Sequence, residues 1–273
     1  MTLTTYEELE QGSDEWLAAR CGIVTASVVG QLISKGAPDA ISVACPKCEA
    51  PANAPCISTA RKVPTPIKTI HDERSAAASE LPPVYKVATG DTARAIISTL
   101  VAERITGHVE QIFPSRDMER GTLSEPFARD KYAEHYAPVE ELGFMVKDFG
   151  GYRIGFSPDG LVGDDGLIEV KSPRQKRHLA TILAGDVPPE HMAQCQTGLL
   201  VSGRAWIDFI SYNGGMPLWH KRVFPDPKWF AVIKEAAEYV EATADWMIAA
   251  YQAATAGLPE TERIDLFPEM EIF

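Results

Sequence analysis

Three charged residues stand where strands rarely carry charge. In GFSPDGLVGDDGLIEVKSP, residues 155 to 173, two apolar runs flank a Gly- and Asp-rich turn, and the stretch contains Asp159, Glu169 and Lys171. Glu169 and Lys171 are two apart and so share one face of a strand, while Ile168 and Val170 face the other way. Pairing across the DDG turn brings Asp159 back toward Glu169. Hydrolysis of a phosphodiester requires that the phosphate charge be neutralised, a water deprotonated and aimed, and the leaving oxygen stabilised. Two divalent ions about 4 Å apart do this when carboxylates hold them, and oxygen ligands suit Mg²⁺ or Mn²⁺. The reading is two ions held by Asp159, Glu169 and the backbone carbonyl of Val170, with Lys171 orienting the attacking water and stabilising its hydroxide. A solvated strand face with a charge pair is the alternative that these residues leave open.

A second constellation is Cys45-Pro-Lys-Cys48, followed by Cys56 and His71. A Cys-x-x-Cys knuckle offers two thiolates, and two more ligands close a tetrahedron around one structural Zn²⁺. HDERSAAASE reads as a helix that presents His71; an exposed helix position is the alternative for that residue. A disulfide is disfavoured in a reducing compartment, and redox chemistry by the lack of a surrounding βαβ pattern. Residues 36 to 83 are rich in Pro, Ala and Lys and poor in large apolar side chains, so a metal would supply the fold that no core can. They read as an insertion. Lys47, Arg61, Lys62, Lys68 and Arg74 make it locally basic. It is expected to touch DNA near the active site, with a purely structural staple as the alternative. Cys21 and Cys195 read as buried small side chains.

The elements that must position these groups follow from periodicity. QGSDEWLAARCGIVTASVVGQLISKG predicts two short helices. Ser13 caps the first, with Trp16 as its first large apolar anchor, and Thr25 or Ser27 starts the second, with Val28, Val29, Leu32 and Ile33 at helical spacing. A helix is predicted in TGDTARAIISTLVAERITG, closed by Gly107. Another follows in TLSEPFARDKYAEHYA, with Thr122 or Ser124 as cap and Pro126 in the first turn. Strands follow in ELGFMVKD, GGYRIGFSPDGLVG and DGLIEVKSP, then a helix in PPEHMAQCQTGLLVSG and strands in RAWIDFISYN and PLWHKRVFP. A long amphipathic helix spans 227 to 255, with Trp229, Phe230, Ile233, Ala237, Val240 and Trp246 on its apolar face. The remaining 256–273 form an acidic tail. This order indicates an α/β (α+β) core with a central mixed β-sheet flanked by helices.

The chain has 273 residues, 45% of them hydrophobic, enough for one large domain carrying an insertion. No apolar run is long enough for a membrane span, and the acidic N-terminus is no signal peptide, so a cytoplasmic location is expected. A net charge of −12 argues against a general nucleic-acid coat but not against an enzyme with a small basic groove.

Pro158-Asp159 followed by Glu169-Val170-Lys171 is the PD-(D/E)xK nuclease pattern, short by itself. The longer runs SPDGLVGDDGLIEVKSP and HMAQCQTGLLVSGRAWIDFISYN, with GSDEWLAARCGIVTAS near the N-terminus and the Gly-x-x-x-Glu helix in MERGTLSEPFARDKYAEHY, resemble the lambda-exonuclease or YqaJ-like family of phage-type recombination nucleases. The resemblance spans residues 10 to 225 apart from the cysteine insertion. It implies a restriction-endonuclease-like core over 1–273 with an inserted zinc-knuckle-like segment at 36–83. It also implies that Glu125 is a helix carboxylate reaching the second ion or its waters, and that Gln194 supports the lysine or water. Arg20, Ser27 and Ser157 would form a pocket for a 5′ phosphate. From the residues alone, the preferred reading of Glu125 is a first-turn acid answering the helix dipole; the alternatives are a surface amide for Gln194, a surface arginine for Arg20, a cap for Ser27 and a turn residue for Ser157. Arg174, Lys176, Arg177 and His178, next to the lysine, are either a loose basic loop or a contact to the DNA backbone.

The function expected is a metal-dependent exonuclease on linear double-stranded DNA, resecting the 5′-phosphorylated strand to leave a 3′ overhang. The resemblance further implies a single-strand annealing partner, a ring trimer and, for a phage protein, the bacterial cytosol. A PD-(D/E)xK endonuclease and a non-catalytic zinc-dependent DNA-binding protein are the rival readings. An iron–sulfur nuclease is disfavoured because no cysteine follows Cys195.

Overall fold

The computed structural model describes residues 1–60, 63–110 and 115–264. Arg61 and Lys62 of the basic set, and 265–273 of the acidic tail, lie outside the described residues. The chain opens with β1 (Thr2–Tyr6), a strand that its acidic surroundings do not announce. Ser13 accepts from the Trp16 N–H at 3.2 Å and starts α1 (Asp14–Arg20) as predicted. The second predicted helix is only one turn, α2 (Ala26–Val29), after β2 (Val24–Thr25). Leu32 falls in a 3₁₀ turn and Ile33 begins β3 (Ile33–Gly36). Adjacent valines and Gly30 are poor helix formers, and pairing with β4 (Val84–Val87) gives this backbone a better set of partners.

β3 and β4 are antiparallel, with Gly36 opposite Val84. The two ends of the cysteine segment are therefore held side by side; inside it lies α3 (Asp72–Ser79). α4 (Asp91–Thr106) ends on Gly107 at φ +67, as its sequence predicts. α5 (Arg116–His135) is longer than predicted: Ser115 caps it, and Pro126 lies inside it rather than in its first turn. Glu125 is therefore a mid-helix residue, and its alternative reading as a first-turn acid falls away.

β5 (Phe144–Asp148), β6 (Arg153–Phe156), β7 (Gly160–Val162) and β8 (Gly166–Lys171) follow. Then come α6 (Gln175–Ala184), α7 (Pro189–Ser202), β9 (Trp206–Ser211), β10 (Trp219–Val223) and α8 (Pro227–Thr255). α6 replaces the loose basic loop weighed for residues 174–178.

The mixed sheet is divided into two four-stranded ladders, β1-β5-β6-β2 and β10-β9-β8-β7. Each has one parallel pair, β2 with β6 and β8 with β9, among antiparallel neighbours. The chain crosses from one ladder to the other at Ser157-Pro158-Asp159, between β6 and β7. Proline has no N–H to give to a ladder, so pairing stops where the first carboxylate stands. α7 packs on β5 and β6 of one ladder and β9 of the other. It comes close to β6 because residue 198 is glycine: a Cβ there would lie 2.7 Å from the Phe156 ring. α8 lays Trp229, Ile233, Ala236, Ala237, Val240 and Ala244 into the core. Trp246, predicted on that face, is exposed, because the helix runs past the core after Ala244.

α5 lies against the opposite face of β8 and is fastened there by a buried carboxylate. The Tyr132 hydroxyl donates to Asp208 on β9 at 2.6 Å, and Arg222 on β10 donates to both its oxygens at 2.9 and 2.8 Å. Asp208→Ala removes the acceptor of both groups and lowers unfolding stability by about 3 kcal/mol in urea titrations. Tyr132→Phe, which deletes one neutral donor, costs about 1 kcal/mol. A loss below that for Asp208→Ala would show that the carboxylate is not the fastener.

Candidate active site

The predicted hairpin forms with the register Gly160↔Ile168, Leu161↔Leu167 and Val162↔Gly166. Continued by one residue, it sets Asp159 level with Glu169. The Val170 N–H donates to Asp159 Oδ2 at 2.6 Å, and Lys171 Nζ donates to Glu169 Oε1 at 2.6 Å. Glu169 has no exposed surface, on a strand buried along almost its whole length. Burial, then the charge of Glu169, pushes Asp159 up to about 7. Burial also raises Glu169, against the pull of Lys171 and the smaller influence of the nearby Gln194 amide. For Lys171 burial acts downward, but the charges of Glu169 and Asp159 outweigh it and hold the ammonium above its ordinary value.

Glu125 reaches the same cluster from α5. Burial raises it first and the Asp159 charge next, while Arg129, one turn further on, donates to its Oε1 at 2.7 Å. Glu169 Oε2 is buried without a hydrogen-bond partner among the described residues. Three carboxylates share this space with Lys171 and Arg129, and Arg129 also pairs with Glu141. An excess of hard oxygen donors and an orphaned buried carboxylate oxygen fit a divalent cation.

Glu125, Asp159, Val170 and Lys171 line a cleft of ≈ 430 Å³ that is also lined by Trp16, Arg20, Thr25, Ser27 and Ser157. The Trp16 indole N–H donates to Ser157 Oγ at 2.9 Å, and its ring lies 4.3 Å from the Arg20 guanidinium. Arg20 donates to Thr25 Oγ1 at 3.3 Å and Ser27 Oγ at 3.4 Å, and these two hydroxyls are 3.0 Å apart. Since Ser157 accepts from Trp16, its own O–H is free to donate into the cleft. Arg20, Ser27 and Ser157 come from α1, the start of α2 and the ladder crossing, yet share one wall.

Gln194 lines the cleft from α7. Gln196 instead bonds the backbone of Phe224 and Asp226, away from it. Arg174 pairs with Asp117 of α5 at 3.0 Å. Lys176 and Arg177 are exposed in the first turn of α6. His178 does not share that surface: it is fully buried, bonded to Ser211 at 2.7 Å and to the Pro217 carbonyl at 3.0 Å. The helical period turns it inward while its neighbours point out.

Sequence reasoning missed Trp16, Thr25 and Arg129. Trp16 reads as a core anchor and Thr25 as a helix start, and both also act in the cleft. Arg129 carried a usable signal, four residues after Glu125 on a predicted helix.

The cysteine segment gathers Cys45, Cys48, Cys56 and His71, whose ligand atoms all lie within 4.8 Å of one another. Sulfurs around a tetrahedral zinc stand about 3.8 Å apart, so the set fits that ion. A backbone hydrogen bond from His71, followed by Arg74 and the neighbouring thiols, lowers Cys56 to about 7 despite its burial, toward the thiolate that a metal needs. Arg74 is removed from the expected basic surface. It has no exposed area and donates to the carbonyls of Ile41, Val43, Pro51 and Ala54 at 2.8 to 2.9 Å and to Cys56 Sγ at 3.4 Å. A loop without a core has backbone oxygens to satisfy, and this guanidinium satisfies four. Lys47 pairs with Glu73 at 2.9 Å.

Comparison with known proteins agrees with this architecture. Residues 70–205 match the YqaJ-like viral recombinase domain family, and residues 11–90 match a phage zinc finger domain described as DNA-binding. The crystal structure of the alkaline exonuclease LHK-Exo from Laribacter hongkongensis is similar at 27% identity and a TM-score of 0.65. The similarity covers 90% of this chain and 100% of that one. The structure of LHK-Exo in complex with dAMP is similar at 28% identity and a TM-score of 0.62, with the same coverage. No curated protein matches. The two domains and the exonuclease neighbours support a DNA exonuclease, and the phage zinc domain with its Cys₃His cluster supports a structural zinc. Among the described residues no helix is long and apolar enough to cross a membrane.

The buried carboxylates set a pH dependence for the metal-free site. Asp159 binds its proton more tightly folded, at about 7, than unfolded, at its ordinary value of 3.8. Between these values the folded state holds the extra proton, so stability falls as pH rises through the window and levels off above it. With Mg²⁺ omitted, the melting temperature should therefore drop from pH 5 to pH 7.5, and Asp159→Asn should remove most of that slope. Added Mg²⁺ should stabilise more at pH 8 than at pH 5. At the other site, Cys45→Ser should reduce zinc from one ion per chain to almost none by elemental analysis; undiminished zinc would sink that ligand set.

Proposed function

We propose that this chain, whose residues 70–205 match the YqaJ-like viral recombinase domain family, is a metal-dependent exonuclease that enters linear double-stranded DNA at an end. It removes the 5′-phosphorylated strand and leaves a 3′ overhang. In this reading 1–273 is one nuclease domain and 36–83 its inserted zinc-binding segment. The carrying observation is that one cleft is lined by Glu125, Asp159 and Lys171 together with Arg20, Ser27 and Ser157. The LHK-Exo complex, whose ligand is the mononucleotide dAMP, adds support.

Asp159, Glu169, the Val170 carbonyl and Glu125 are the residues that would hold Mg²⁺ or Mn²⁺. Such ions supply charge neutralisation at the phosphate and acidify water. Lys171, kept charged by Glu169, donates to a water beside the scissile phosphate and stabilises negative charge on it. Gln194 steadies Glu169 through its amide. Arg20 turns its planar fork toward a terminal phosphate, a geometry that lysine cannot match, and Ser27 and Ser157 add hydroxyl donors. A terminal monoester carries close to two negative charges at neutral pH, against one on an internal diester, so this wall favours chain ends. Lys176 and Arg177 would contact the DNA backbone beside the cleft.

The test uses linear duplexes with 5′-phosphate or 5′-hydroxyl ends and a covalently closed circle, each incubated with Mg²⁺. Mononucleotides should come fastest from the phosphorylated ends, and the circle should stay intact. Lys171→Ala should cut the rate by at least about 100-fold. Trp16→Phe keeps the ring but drops the donor to Ser157, and should slow phosphorylated ends more than hydroxyl ends. Cutting of the circle would favour an endonuclease. No release from any duplex, unchanged in Lys171→Ala, would replace this reading with a zinc-dependent DNA-binding protein.

A further inference from the structure

We infer that Arg129 is a positioning residue for metal binding: its guanidinium clamps Glu125 in the cleft, and Glu141 offsets the charge that the clamp would otherwise impose there. The inference rests on the proposed reading of Glu125 as an ion ligand and assigns a role to a residue that lies outside the nuclease motif.

Arg129 follows Glu125 by one turn in the interior of the 20-residue α5. The order, acid first and base four residues later, is the favourable one on a helix. Exposed pairs of this kind contribute little, but here the arginine and glutamate side chains are only 14% and 25% exposed. One guanidinium nitrogen donates to Glu125 Oε1 at 2.7 Å, and another pairs with Glu141, which lies outside the cleft and is 77% exposed. The third nitrogen, Nε, is buried without an acceptor among the described residues. The group is thus placed to grip two carboxylates rather than to satisfy itself.

The grip answers a specific difficulty. Glu125 and Asp159 carry like charge in a poorly solvated space, and an unrestrained Glu125 would swing away from it. Bound through Oε1, the carboxylate stays in place with its other oxygen available to an ion. A lone arginine beside an ion position would repel the ion; with Glu141 paired to the same guanidinium, most of that repulsion is cancelled. Lysine cannot substitute, because a single ammonium lacks the span of the fork.

The experiment is calorimetric titration of Mn²⁺ into the full-length zinc-loaded protein, with thermal unfolding before titration as the check on folding. The wild type should bind two ions. Glu125→Gln should weaken the weaker one. Arg129→Lys should weaken the same ion about tenfold while leaving the tighter one, as loss of an outer partner typically does. In the Glu125→Gln background Arg129→Lys should have no further effect, because the two side chains act as one unit. Wild-type affinity for both ions in Arg129→Lys would overturn the inference, as would an equal loss in both backgrounds. Should Arg129→Lys fail to fold, Glu141→Gln at its exposed position serves instead: it should weaken the same ion, and unchanged affinity would overturn the inference. If Glu125→Gln alone changes nothing, it is the assignment of Glu125 as a ligand that falls.

Discussion

Placing Asp159 and Glu169 together beneath the surface, with Lys171 as the nearest cation, is the constraint around which the rest of the molecule is arranged. Burial raises both carboxylates, the Glu169 charge raises Asp159 further, and the Glu125 charge raises Glu169 further. A protein optimised for stability alone would not do this. The sheet supports it by giving up regularity at one point. The ladder stops at Pro158, and the Val170 N–H turns to Asp159 instead of to a strand partner. Rigid strands then fix the two acids far better than a loop could.

The helices complete what the strands begin. α7 spans both ladders and brings Gln194 to the cleft, at a distance set by the absence of a side chain at Gly198. α5 approaches from the other face and is pinned at its far end by Tyr132 and Asp208, so Glu125 enters on a fixed element. Elsewhere in the cleft lining, Trp16 orders two residues from distant parts of the chain at once, Arg20 through its ring and Ser157 through its indole N–H. The net charge of −12 and a DNA substrate are compatible because the cations that matter are few and placed, not spread over the surface.

The cysteine segment follows another physical rule. It has too few apolar residues for a core, and Arg74 takes over part of a core's work by collecting four carbonyls and touching a ligand thiol. An arginine in a basic-looking stretch is thereby internal. β3 and β4 join its two ends, so the segment leaves and rejoins the nuclease core at one place.

Much was legible from local pattern. The alternation of residues 155 to 173, the knuckle spacing of Cys45 and Cys48, the Ser13 cap, the Gly107 stop and the span of α8 are short-range signals, and backbone geometry obeys them directly. Pattern also grouped the candidate residues, because motif order along the chain survives folding. What it could not supply depends on contacts distant in sequence. β3 is a strand only because β4 is there to pair with it. His178 is internal and Lys176 external because of how α6 docks. Trp16 meets Ser157 across 141 positions. The sequence by itself determined which residue types were available for chemistry and which stretches were helix or strand, since both are written in local composition and period. Only the tertiary structure decided which of those charges share a cleft, which are spent on holding the fold, and that Arg129 also meets Glu141, because burial and pairing arise when separate elements meet.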